Sequence, residues 1–143
     1  DSSLHFSGVL LDGMRPEEET SGHMDRLGKK KPYSHLTECI AFTADRASHL
    51  IYKTENIVTD LYCMSNDGLL IHAKGPGNPS NVLIPYVIER IWGQKACFAH
   101  VLSSRNEKDE AKVLKVDFIS NDNHLHIVVE TTSGCREFNL EME

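Results

Sequence analysis

Apolar residues recur at every second position through the last third of the chain. Leu114, Val116 and Phe118 alternate with polar residues in 113–119. Leu125, Ile127 and Val129 share one parity in 124–130, as do Phe138, Leu140 and Met142 in 135–142. A period of two puts one set of side chains on each face of a strand, so these segments read as strands with one packed and one wet face. The polar tetrads "SNDN" at 120–123 and "TTSG" at 131–134 supply the turns. The pattern predicts an antiparallel three-strand meander.

Upstream the pattern is more mixed. "TECIAFTA" (37–44) alternates and is β-prone. In 45–54, Asp45 can cap a helix, and Ala47, Leu50 and Ile51 form an i, i+3, i+4 stripe, which predicts a short helix. A strand over 48–53 is the competing reading. Two β-rich runs, 57–64 and 69–74, flank Asp67-Gly68, which predicts a tight hairpin. "GPGNPSN" (75–81) reads as a loop. After an extended entry at 82–84, Pro85 suits the first position of a helix. Val87, Ile88, Ile91 and Trp92 then share a face opposite Glu89 and Arg90, and Gly93 ends it. Residues 96–102 read as a further strand and 103–112 as a charged loop. Ser-Asn-Asp occurs at 65–67 and again at 120–122, opening a turn each time. The expected fold class is α+β: an antiparallel sheet, two short helices and a C-terminal three-strand meander.

The N-terminal end is set apart. "LHFSGVLL" (4–11) is apolar enough for a strand, whereas 15–32 has no apolar period and reads as linker. Charge marks the same boundary. Residues 1–19 carry five acidic side chains against Arg15, a net of −4, which leaves −2 of the chain's −6 for the other 124 residues. The expected organisation is a ligand-like segment at 1–19, a linker at 20–31 and one domain at 32–143. His23-Met24 after Thr20-Ser21-Gly22 has the look of an engineered junction, with 1–19 a fused partner peptide.

A length of 143 residues with 40% hydrophobic and 25% charged residues suits one globular domain. The acidic balance argues against general phosphate binding. Cys39, Cys63, Cys97 and Cys135 are too widely spaced for a CxxC pair and read as free thiols. With no signal peptide and no apolar run of membrane-spanning length, the expectation is an intracellular protein, cytoplasmic or nuclear, without a membrane span.

Chemistry has weak candidates. His124 and His126 share a strand face and could hold a metal if Glu130 or Asp117 approached, but Leu125, Ile127 and Val129 claim the packed face, so both imidazoles are expected in solvent. His35, His49, His72 and His100 lie beside apolar neighbours and could line the pocket of a small enzyme. No paired carboxylates, nucleophile elbow or phosphate loop accompanies them. Lys29, Lys30 and Lys31, next to Tyr33, form the one concentrated basic patch and the basis of a nucleic-acid reading. No cofactor or metal is expected, and the chain reads as non-enzymatic.

The segment 56–75, "NIVTDLYCMSNDGLLIHAKG", followed by a helix and then by "KVLKVDFISNDNHLHIVVET", resembles the roadblock/LC7-type scaffold domains. Residues 42–82 are also similar to the half-domain of ring-shaped sliding clamps, where a strand and helix precede an "SxDGxxIxA" hairpin. Both resemblances concern element order, and neither brings a functional residue. They imply a non-catalytic scaffold that assembles by pairing helices or sheet edges. The chain departs from both, lacking a C-terminal helix for the first and a second half-domain for the second.

The functional expectation is a protein–protein interaction module that takes a short hydrophobic or acidic peptide of a partner, by strand addition or groove docking. Residues 1–19 represent such a peptide, and a homo- or heterodimer is compatible. Leu4, Phe6, Val9, Leu10 and Leu11 are the expected contacts on the segment, with Val87, Ile91 and Trp92 on the domain.

Overall fold

A computed structural model describes residues 2–5, 9–12, 33–43, 47–64, 68–93, 95–121 and 123–142, with the backbone alone in 2–5 and 9–12. Among these residues the protein is built from strands, not from the expected α+β mixture. The strands are β1 (Ser2–His5), β2 (Val9–Asp12), β3 (Thr37–Thr43), β4 (Ser48–Thr54), β5 (Ile57–Cys63), β6 (Leu69–Pro76), β7 (Leu83–Arg90), β8 (His100–Asn106), β9 (Val113–Ser120), β10 (His124–Thr131) and β11 (Gly134–Glu141). A 3-10 turn at Tyr33–His35 precedes β3. They form three antiparallel sheets: sheet I in the order β1-β7-β6-β3, sheet II in the order β2-β4-β5-β8, and sheet III in the order β11-β10-β9.

Both expected helices are strands. Over 48–54 the competing strand reading holds: Ser48, Leu50 and Tyr52 are buried and alternate with more exposed residues, while Ala47, the first member of the helical stripe, is exposed. Tyr, Ile and Thr also favour a pleated surface over a helix. The segment 83–90 fails for a different reason. In β7 the run Pro85, Tyr86, Val87, Ile88, Glu89 is buried throughout, because the strand lies inside sheet I and is covered on both faces. A run buried on both faces loses its alternation and mimics a buried helix. Among the described residues β1 pairs with Tyr86–Glu89 and not with Pro85, which stands near the start of β7, a position where a strand tolerates proline.

Two further expectations change. The runs 57–64 and 69–74 are strands, but β5 pairs with β4 and β8 while β6 pairs with β3 and β7. The chain therefore crosses between sheets where a hairpin was expected, and the roadblock and clamp element orders are not realised. Ser65, Asn66 and Asp67 of that turn, like Asp45, lie outside the described residues. The strand expected at 96–102 begins only at His100 and continues to Asn106, into the expected loop. Its polar residues are held by cross-strand polar partners: Ser104 shares a hydrogen bond with Thr59 at 2.9 Å, and Arg105 donates to Asp60.

The C-terminal meander forms as expected, with Ile127 opposite both Phe118 and Phe138. At its turn Asn121 Oδ1 accepts the amides of Asn123 and His124 at 3.2 and 2.9 Å. Packing is uneven, however. Leu125, Ile127, Val129 and Val116 are buried, but Phe138 and Leu140 on the outer strand remain 49% exposed and Leu114 is exposed as well.

Sheet II is the middle layer of the core. Leu50, Tyr52, Leu61 and Cys63 on one face meet Leu70 and Val87 of sheet I. On the other face Tyr62 and Met64 meet Val116, Leu125, Ile127 and Val129 of sheet III. The far face of sheet I carries a third cluster, in which Leu36 packs with Ala41, Ile71, Ala73, Tyr86 and Ile88. No helix among the described residues is long and apolar enough to cross a membrane.

Candidate functional site

Two features of this architecture can carry function: the sheet edges that accept the N-terminal segment, and polar groups buried between the sheets.

The N-terminal segment is paired twice. β1 runs antiparallel to β7, with Ser2 opposite Glu89 and His5 opposite Tyr86. β2 runs antiparallel to β4, with Val9 opposite Lys53, Leu10 opposite Tyr52 and a register shift before Asp12. One stretch of chain thus forms the outer strand of sheet I and then that of sheet II. Leu4, Val9, Leu10 and Leu11 lie in these strands, whereas Phe6 is outside the described residues.

On the domain side, Val87 is fully buried between sheets I and II. Ile91 is half-buried just past the end of β7, and Trp92 is 63% exposed. The three do not share one surface, because the helix that would align them is a strand. Lys29, Lys30 and Lys31 lie outside the described residues.

The four scattered histidines occupy four separate settings. His35 packs edge-on against Tyr86, with ring centroids 6.1 Å apart. His49 stacks on its cross-strand partner Tyr62 at 4.2 Å, and its Nε2 is 2.9 Å from the buried Asp60 carboxylate. Asp60 also accepts from Arg105, so both of its oxygens are engaged. His72 stacks near Tyr52 at 6.3 Å. Burial, then the Lys74 charge, holds its imidazole below the ordinary value, against an upward pull from Glu38. At the meander, His124 is exposed, while His126 is half-buried with its Nε2 3.3 Å from Glu137. Of the two acids weighed as their co-ligands, Asp117 is paired with Lys115 at 2.6 Å and Glu130 is exposed.

His100 is different. It is the register partner of Cys63 across β5 and β8, and its Nε2 is 2.6 Å from Glu89 Oε2 of β7. Parity explains the meeting. Glu89 falls on the same face of β7 as Val87, the face turned to sheet II, and Cys63 falls on the same face of β5 as Leu61. Glu89 is 2% exposed, and its second oxygen, Oε1, has no hydrogen-bond partner. Burial, then the Glu89 charge, pushes the Cys63 thiol far above its ordinary value, so the side chain is a protonated thiol and not a nucleophile. Among the described residues, Cys63, Glu89 and His100 make the one group of three ligand-type side chains whose donor atoms all lie within 4.8 Å of one another.

Spacing could not reveal this group, since its members come from three strands and two sheets. The one hint in the sequence is an acid inside the apolar run 83–91. Compared with known proteins, the chain matches no family model and no curated sequence.

Proposed function

We propose that the domain is a non-catalytic protein–protein interaction module that holds a short extended peptide by strand addition. The supporting observation is the pairing of 2–5 with sheet I and of 9–12 with sheet II, two nearby strands of one N-terminal stretch. Strand addition draws affinity from main-chain hydrogen bonds, with side-chain pockets adding selectivity. An unpaired edge is a template for association, and this segment covers two such edges at once. In sequence, residues 13–32 separate it from the rest of the domain. The same edges can therefore take an equivalent segment from a second copy or from another protein, the tether acting only through effective concentration.

The test starts from the full chain, with a protease site placed within 13–32. After cleavage, the peptide should stay associated through gel filtration and exchange with a labelled 1–19 peptide in a saturable way. Amides of 2–5 and 9–12 should exchange with deuterium more slowly in the full chain than in the free 1–19 peptide. A peptide that separates on cleavage and shows no saturable return would overturn the reading.

A further inference from the structure

We infer that Cys63, Glu89 and His100 form a binding site for a thiophilic divalent metal ion of the zinc class, bridging sheets I and II. The donor set is thiol sulfur, carboxylate oxygen and imidazole nitrogen, the combination that borderline-soft ions prefer over calcium or magnesium. The geometry is close to what a tetrahedral ion needs. With metal–sulfur bonds of about 2.3 Å and metal–nitrogen or metal–oxygen bonds of about 2.0 Å, donors sit roughly 3.3–3.5 Å apart. The donors here lie within 4.8 Å of one another, and the Glu89–His100 contact of 2.6 Å opens slightly to admit the ion.

The second observation is Glu89 itself. A carboxylate this deeply buried demands compensation on both oxygens, yet His100 satisfies only Oε2 and Oε1 has no partner. An ion among the three side chains supplies the missing positive charge. Cys63 ligates as the thiolate, its proton passing to buffer. Three protein ligands leave a fourth position for water, reached from the side of His100, which is half-buried where the other two are buried.

Such an ion would also act mechanically. Cys63 and His100 belong to sheet II, while Glu89 belongs to β7, the strand that carries β1. The site therefore ties the acceptor strand for the N-terminal segment to the middle layer of the core.

Cobalt(II) titrated into the reduced full chain is the direct probe. One equivalent should produce a thiolate-to-cobalt charge-transfer band in the near ultraviolet and the visible bands of tetrahedral cobalt, and zinc should displace both. The triple variant Cys39→Ser/Cys97→Ser/Cys135→Ser should keep these bands, Cys63→Ser should abolish the charge-transfer band, and Glu89→Gln should weaken binding. If Cys63→Ser does not fold, His100→Ala serves instead and must alter the visible bands. A full chain that gives no charge-transfer band, a band that survives Cys63→Ser, or one that vanishes in the triple variant overturns the site.

Discussion

Leu61 and Leu102 test the layered core directly. They are register partners on β5 and β8, on the same face of sheet II, yet Leu61 is 0% exposed and Leu102 is 54% exposed. Truncating either to alanine removes the same atoms, so only the surroundings differ. For Leu61→Ala the lost transfer free energy of three carbons is about 2.4 kcal/mol, at roughly 0.8 per buried CH₂. The space it vacates lies between two sheets whose strands are fixed by hydrogen bonds and close in only partly, which adds about 1–2 kcal/mol. The expected loss is about 3–4 kcal/mol. For Leu102→Ala roughly half of the side chain is already in water and no cavity is left, so the loss is about 1 kcal/mol. Urea unfolding of the full-length variants, analysed by linear extrapolation with an unchanged m-value, measures both. In thermal melts the same difference separates the two midpoints by roughly 6–10 °C at about 3 °C per kcal/mol. Equal losses, or a loss below about 1.5 kcal/mol for Leu61→Ala, would show that sheet I does not pack on this face of sheet II.

Three further outcomes follow from specific contacts. Gly75→Ala places a Cβ 2.8 Å from both Leu36 Cδ2 and Tyr86 Cε2. The Tyr86 ring is anchored by its hydroxyl, which donates to the Pro76 carbonyl at 2.8 Å, so a destabilisation of about 1–3 kcal/mol is expected in urea unfolding. His72 has a folded pKa lowered by burial, so the unfolded chain takes up its proton first. Its contribution is fully present above about pH 6.5 and drains as pH falls from there towards the folded value, and His72→Gln should flatten the acid side of the stability profile. A wild-type slope retained in that variant refutes the assignment. Under pulsed alkylation the exposed Cys135 should react first and Cys63 only as fast as the protein opens, because Cys63 is both buried and strongly disfavoured as a thiolate. Mass-spectrometric mapping of the modified peptides checks the order.

The meander was legible because β10, its central strand, has one dry and one wet face, the condition under which period-two alternation survives in a sequence. The helices were misread where that condition fails. At β4 and the residue before it, Ala47, Leu50 and Ile51 imitate a helical stripe although burial follows Ser48, Leu50 and Tyr52. In β7, burial on both faces removes the alternation altogether. The hairpin expected at Asp67-Gly68 rested on local turn chemistry, which says nothing of whether the flanking strands pair with each other or enter different sheets. Here they enter different sheets, and the two-residue turn at Glu55-Asn56, with Glu55 at φ 55°, joins β4 to β5 instead. β8 was cut short because its second half is polar. A strand stabilised by Asp60–Arg105 and Thr59–Ser104 pairs across β5 has no apolar signature to read.

The buried polar group was hidden by the same error. Read as a helix, the stretch from Pro85 places Glu89 opposite Val87, Ile88, Ile91 and Trp92, on a solvated face where a carboxylate calls for no comment. Read as a strand, Glu89 shares parity with Val87 and must enter the core with it. The same residue passes from unremarkable to anomalous when the period changes from 3.6 to 2. A core carboxylate then demands a partner, and the register of β5 on β8 brings His100 and Cys63 to it from 11 and 26 positions away in sequence. An acid at an alternating position inside an apolar run is therefore a usable sign of a buried polar site. It becomes readable only once the run is recognised as a strand covered on both faces.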